Sequence, residues 1–143
     1  MKNIRIMKKT FTLFGLLLMC LLAFAQNPCP QVIPALQQWK GAKGTLALPA
    51  QGSIVINPQD EATLGQTASI LAEDLKELMG WEYTIITGKA KKNAIYLSLS
   101  KPDEQLGNEG YVLAINNKVS IEAPTAQGVF WGTRTLLQML YRQ

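Results

Sequence analysis

Two adjacent acid pairs, Asp60-Glu61 and Asp103-Glu104, have the side chains and spacing best suited to acid–base chemistry in this sequence. One carboxyl group of such a pair can protonate a leaving oxygen while the other orients or attacks the reacting centre. Their local context argues for structural work instead. Asp60 follows Asn57-Pro58-Gln59, where a helix starts, and its charge complements the positive end of the helix dipole. Asp103 follows Lys101-Pro102 in a polar loop. Neither pair is assigned a catalytic role. The chain has no histidine, which removes the usual general base at neutral pH, the Ser-His and Cys-His nucleophile pairs and most zinc-site patterns. The phosphate-cradling patterns G-x-x-x-x-G-K-[ST] and G-x-G-x-x-G are absent. No catalytic residue, metal ligand or cofactor is expected.

Trp39, Trp81 and Trp131 could stack on sugar rings, but tryptophans in a small domain more often sit in the core or at an interface. Trp39 and Trp81 flank turns and strands, where burial is expected. Lys89, Lys91 and Lys92 form a small basic loop that reads as solvated.

Residues 1–25 read as a signal peptide. Lys2, Arg5, Lys8 and Lys9 precede an apolar run from Phe11 to Phe24, and Ala23-Phe24-Ala25 places the cut before Gln26. The run is shorter than the roughly 20 residues of a spanning helix, so no stable membrane anchor is expected after cleavage. Four of the 14 Lys and Arg lie in this segment and none of the 10 Asp and Glu. The remaining 118 residues carry ten of each sign, so no footprint for nucleic acid or an anionic membrane survives. Only Cys29 remains after the cut. One cysteine closes no internal disulfide, so an apolar core must hold the fold.

The elements that position these side chains follow from periodicity. Gln26 to Pro34 is extended and proline-rich, and Gly41 to Gly44 is a turn. Thr45–Leu48 and Ser53–Ile56 are β-prone and are expected to form a hairpin across Pro49–Gly52. Asn57-Pro58 opens a helix with Leu64, Ala68, Leu71, Leu75 and Leu78 as its apolar stripe, and Gly80 caps it. Strands follow at Trp81–Ile86 and Ala94–Leu99, where Ile95, Leu97 and Leu99 share a face.

The last hairpin allows a register to be deduced. Tyr111, Leu113 and Ile115 share one face, and Val119, Ile121 and Ala123 another. Only the pairing of Ile115 with Val119 puts all six on one side, because a one-residue slip swaps faces. A three-residue loop, Asn116 to Lys118, with an asparagine or Lys118 near αL, is therefore predicted. The final helix, Thr125 to Tyr141, packs Val129, Thr133, Leu136, Leu137 and Leu140 inward. Gly128 and Gly132 allow close approach to the sheet. Trp131 falls on the opposite side, nearer to Arg134 and Gln138 than to the core stripe. The order β-β-α-β-β-β-β-α and the alternating strands predict a two-layer α+β domain: a largely antiparallel sheet, wet on one face, with both helices packed on the other.

Several segments together resemble the small N-terminal, non-catalytic domain of glycoside hydrolase family 20 β-N-acetylhexosaminidases. They are Val32-Ile33-Pro34 with Gly44 to Leu48, Leu71-Ala72-Glu73-Asp74-Leu75, Glu109-Gly110-Tyr111-Val112-Leu113, Val119-Ser120-Ile121-Glu122-Ala123, Gly128-Val129-Phe130-Trp131-Gly132 and Thr135-Leu136-Leu137-Gln138. The resemblance spans essentially all of residues 26–143. Similar domains precede other secreted glycosidases, including α-N-acetylglucosaminidases and α-glucuronidases.

The family's catalytic Asp-Glu pair follows a His-x-Gly-Gly type sequence on a (β/α)8 barrel, which neither acid pair here matches. The resemblance thus implies a secreted or periplasmic accessory domain whose helices lie against a catalytic barrel, inactive by itself. No barrel follows Gln143 in this sequence, which reads as an excised domain or gene fragment. Trp131, Arg134 and Gln138 become a candidate barrel-docking surface. The other reading is a free-standing secreted carbohydrate-binding or protein-interaction domain, in which Trp131 would sit among convergent polar groups.

Overall fold

The computed structural model describes residues 26–142; the signal peptide expected at 1–25 lies outside the described residues. The chain divides into two compact units. Of the smaller, residues 26–29 and 38–44 are described. The Asn27 N–H donates to Ala42 C=O (2.9 Å), its Nδ2 to Gly44 C=O (2.7 Å), and Trp39 Nε1 to Asn27 C=O (3.1 Å). Trp39 is exposed rather than buried.

The larger unit holds residues 30–37 and 45–143. Its elements are β1 (Gln51–Ile56), a 3-10 turn (Pro58–Asp60), α1 (Glu61–Met79), β2 (Glu82–Thr87), β3 (Ile95–Leu99), β4 (Val112–Ile115), β5 (Val119–Ala123) and α2 (Ala126–Tyr141). The α+β class and the two helices over one sheet face stand. The strand directions do not. The five strands run in the order β2-β1-β3-β5-β4. β1 is parallel to β2 and β3, and β3 to β5; only β4 with β5 is antiparallel.

The expected hairpin at the front of the domain does not form. Both edges of β1 are taken, by β2 and β3, so Thr45–Leu48 cannot pair with that strand, and it forms none. Leu46 and Leu48 instead pack, half-buried, on the core. The 19-residue α1 carries the chain back along the sheet between β1 and its neighbour β2, which makes the pair parallel. Burial agrees, because Ile54, Val55 and Ile56 are buried in succession, as in an interior parallel strand. Val55 lies on the face away from the helices, between its register partners Ile86 and Tyr96.

Helix boundaries follow the capping chemistry. Asn57 Oδ1 accepts from the Gln59 N–H (3.2 Å), Pro58 starts the 3-10 turn, and α1 follows. Gly80, at φ 69°, ends α1 in the left-handed region, its N–H reaching the Lys76 carbonyl while the Trp81 N–H reaches that of Leu75; a side chain at Gly80 would strain the backbone. Leu64, Ala68, Leu71 and Leu75 are buried as expected, but Leu78 is 52 % exposed. Met79, one residue on, packs against the core in its place.

The last hairpin has the deduced register, Ile115 opposite Val119 and Leu113 opposite Ile121. Its loop needs no left-handed residue; among the described non-glycine residues positive φ occurs at Asn93 (φ 55°). The Asn116 N–H closes the loop onto Lys118 C=O (3.0 Å), and Asn117 C=O accepts from the Asn93 N–H (2.8 Å). Thr125 caps α2, its Oγ1 accepting from the Gly128 N–H (3.0 Å).

Candidate docking surface

The inner side of α2 is set by its two glycines. A Cβ on Gly128 would stand 2.5 Å from Gly110 C=O and 2.7 Å from Ala123 Cβ. One on Gly132 would overlap Ile121 Cγ2 and lie 3.2 Å from the Tyr111 ring. Helix and sheet touch backbone to side chain along this line. Thr133, Thr135 and Leu136 are buried beside it, and Thr135 Oγ1 shares a 2.5 Å hydrogen bond with the Tyr111 hydroxyl.

With that side fixed, the outer side follows from helical geometry. Trp131 is 41 % exposed. Phe130 meets it edge-on, ring centroids 5.4 Å apart, and Arg134 lies over the Phe130 ring at 4.7 Å. Arg134 also spans to α1, its Nη1 2.5 Å from Asp74 Oδ2. That oxygen is shut off from solvent, and the contact lacks hydrogen-bond alignment, so the attraction is coulombic. Arg134 Nε and Nη2 donate to Thr133 Oγ1 (3.2 Å each). Gln138 is committed elsewhere: its Oε1 accepts from the Ile33 N–H (2.9 Å) and its Nε2 donates to Ile33 C=O (2.8 Å). Arg142 Nη1 donates to Gln31 C=O. Together they clamp residues 31–33 along α2, with Val32 buried.

Of the three residues singled out from the sequence, then, Trp131 projects outward. Arg134 and Gln138 use their polar groups within the domain. Leu78 and Tyr141 (70 % exposed) extend the apolar exterior and, with Leu137, Gln138 and Arg142, line an open cleft of ≈ 340 Å³. Periodicity could not separate Leu78 from Met79, since both spacings suit the stripe; the second is inside, and Leu78 joins the exterior.

The acid pairs lie apart from this surface and hold backbone. Asp60 Oδ2 accepts from the Leu99 N–H (2.8 Å), tying the start of α1 to the end of β3. Asp103 Oδ1 accepts from the Gln105 N–H (2.9 Å) in a local turn. Burial, with the nearby charges of Asp60 and Glu122, raises the Tyr96 phenol above its ordinary range. Among the described residues no cluster of His, Cys, Asp and Glu could hold a metal ion, and no helix is long and apolar enough to cross a membrane.

The family model described as glycosyl hydrolase family 20, domain 2, matches residues 29–143. No curated protein sequence matches the chain. Among solved structures, CpGH84D superposes with a TM-score of 0.61 at 15 % identity, over 79 % of this chain and 21 % of that one; this is a likeness of fold. A GH20 β-N-acetylhexosaminidase from Streptomyces coelicolor A3(2) matches at 26 % identity and TM-score 0.44, over 62 % of this chain and 17 % of that one. A GH138 enzyme targeting pectin rhamnogalacturonan II matches at 18 % identity and TM-score 0.49, over 60 % of this chain and 9 % of that one. The chain thus spans about a fifth or less of these structures.

Proposed function

The chain belongs to the domain 2 family of glycosyl hydrolase family 20, and on that premise we propose that it is the non-catalytic accessory domain of a secreted β-N-acetylhexosaminidase. Such an enzyme removes terminal N-acetylhexosamine residues from glycans. The partner of this domain is a catalytic (β/α)8 barrel, and its work is to support that barrel. The observation that carries this reading is the helix layer's exterior. Trp131, Leu78 and Tyr141 stay exposed while the inner stripes of the same helices are buried, and large apolar side chains left on an outer helix face are what a docking partner covers. Export would follow cleavage before Gln26, to the periplasm or beyond; the mass of the exported protein tests that cut.

The acids support an inactive domain. Asp60 and Asp103 each accept from a backbone N–H group, one tying a helix start to a strand end and the other closing a local turn, which is structural work rather than acid–base chemistry. The purified protein is expected to give no turnover on a chromogenic N-acetylglucosaminide; turnover above blank, surviving repurification, would sink the proposal. Mixed with the barrel of a family 20 enzyme it is expected to bind, and Trp131→Ala to weaken that binding.

A sugar site at Trp131 has less support. The polar groups singled out beside it on α2, Arg134 and Gln138, are engaged by Asp74, Thr133 and Ile33 rather than converging on a ligand position. Titration with N-acetylglucosamine oligomers should leave tryptophan fluorescence unchanged.

A further inference from the structure

β2 is the outermost strand on its side of the sheet. The Glu82 N–H donates to Ala50 C=O and the Gly88 N–H to Ile56 C=O, so even-numbered residues of β2 turn their backbone groups toward β1. Alternation along the strand turns the N–H and C=O of Tyr83, Ile85 and Thr87 outward. Among the described residues, no hydrogen bond from outside the sheet meets them.

Edge strands are normally blunted by a proline, a bulge or a charge within the strand. The stretch Tyr83 to Thr87, YTIIT, has no proline and no charge, and its register with β1 is unbroken. Ile85 is 40 % exposed. The opposite edge strand, β4, is only four residues long. The charges of β2 stand at its two ends: Glu82 at the start, and Lys89, Lys91 and Lys92 just past the finish.

We propose that this edge pairs antiparallel with β2 of a second copy of this chain, about a two-fold axis at Ile85. That register sets Ile85 opposite Ile85 of the other copy and Tyr83 opposite its Thr87. These are the residues whose backbone groups face outward, so each N–H meets a C=O. Paired residues fall on the same face, and the helices of both copies stay on one side of a continuous sheet. The side chain of Ile85 gains cover from its own counterpart. Charge selects the direction. Antiparallel pairing brings Glu82 of each copy toward Lys89 of the other, whereas parallel pairing lays like charge beside like. A contact along one strand buries well under the ~1,600 Å² of a standard interface, so the dimer is weak and depends on concentration. The helix exterior assigned to the barrel takes no part, so this pairing stands or falls apart from the accessory-domain reading.

Analytical ultracentrifugation of the purified protein over rising concentration, with amide exchange followed by NMR at both ends of the range, tests the proposal. The expected result is a monomer–dimer shift in which the Tyr83, Ile85 and Thr87 amides slow roughly tenfold or more, while those of Thr84 and Ile86 are protected throughout. Ile85→Lys sets like charges at the axis and should give a monomer with unchanged circular dichroism. If that variant misfolds, Glu82→Lys should weaken the dimer and Glu82→Lys/Lys89→Glu restore it. A monomer at every concentration overturns the proposal. So does a dimer whose Tyr83, Ile85 and Thr87 amides exchange as fast as in the monomer, since its contact then lies elsewhere.

Discussion

Replacing Gly128 with alanine should destabilise the protein even though alanine is the better helix former. In an open helix interior the change gains up to about 1 kcal/mol. Gly65, inside α1 with no atom within 4 Å of a built Cβ, is the site that shows this gain. At Gly128 the new methyl would lie 2.5 Å from a backbone carbonyl oxygen and 2.7 Å from Ala123 Cβ, against the ~3.5–4.0 Å of a relaxed contact. Both obstacles are anchored to backbone, so neither can rotate away. α2 must lift from β5 by about 1 Å, loosening Val129 and Leu136, which are buried beneath it. Overpacking costs roughly 1–3 kcal/mol; set against a propensity gain of up to about 1 kcal/mol, a net loss of up to about 2 kcal/mol remains. Gly132→Ala meets Ile121, whose β-branched side chain is stiff at χ1, and should lose a comparable amount. Urea unfolding followed by circular dichroism measures all three variants. Gly65→Ala should raise the midpoint, and Gly128→Ala and Gly132→Ala should lower it with the slope unchanged. If Gly128→Ala were as stable as the parent, the close approach of helix and sheet would be refuted.

Three further outcomes are expected. Arg134→Ala and Asp74→Ala should each destabilise modestly; with each side chain about a quarter exposed, a double-mutant cycle should return a coupling of about 1 kcal/mol. Burial pushes the Tyr83 phenol up to about 12, so the unfolded chain ionises first. Stability is therefore complete below pH 10 and falls as pH rises toward 12, and Tyr83→Phe, which also loses the bond to Pro49 C=O, should flatten that alkaline decline in pH-dependent melting. Gln138→Ala removes both side-chain bonds to Ile33 and should speed amide exchange at Ile33 and proteolysis of residues 31–37, leaving the α2 amides protected.

What could be read in advance was whatever rested on neighbours in sequence. The spacing of Tyr111, Leu113 and Ile115 against Val119, Ile121 and Ala123 fixes the hairpin register, because a slip of one residue would turn every apolar group to water. Asn57-Pro58 and Gly80 mark the ends of the first helical segment through capping that is local to the chain. Gly128 and Gly132 announce the close approach that Ile121 and Ala123 complete. The domain 2 family was legible for the same reason, its motifs being short runs that each build one element.

Strand direction was not legible. Alternation along Ser53–Ile56 is the same whichever way a neighbour runs, and the arrival of β2 and β3 on the two edges of β1 excludes Thr45–Leu48 from pairing with it. The outer helix face was partly legible. Helical geometry turns Trp131 outward, but Asp74 and Ile33, which occupy Arg134 and Gln138, are about 60 and 105 residues away in sequence. Periodicity thus determined the elements, their caps and one register, since backbone sterics and side-chain alternation act over a few residues. Tertiary structure decided which strands meet and which polar groups remain free, since both depend on competition for edges and partners that only the folded chain brings together.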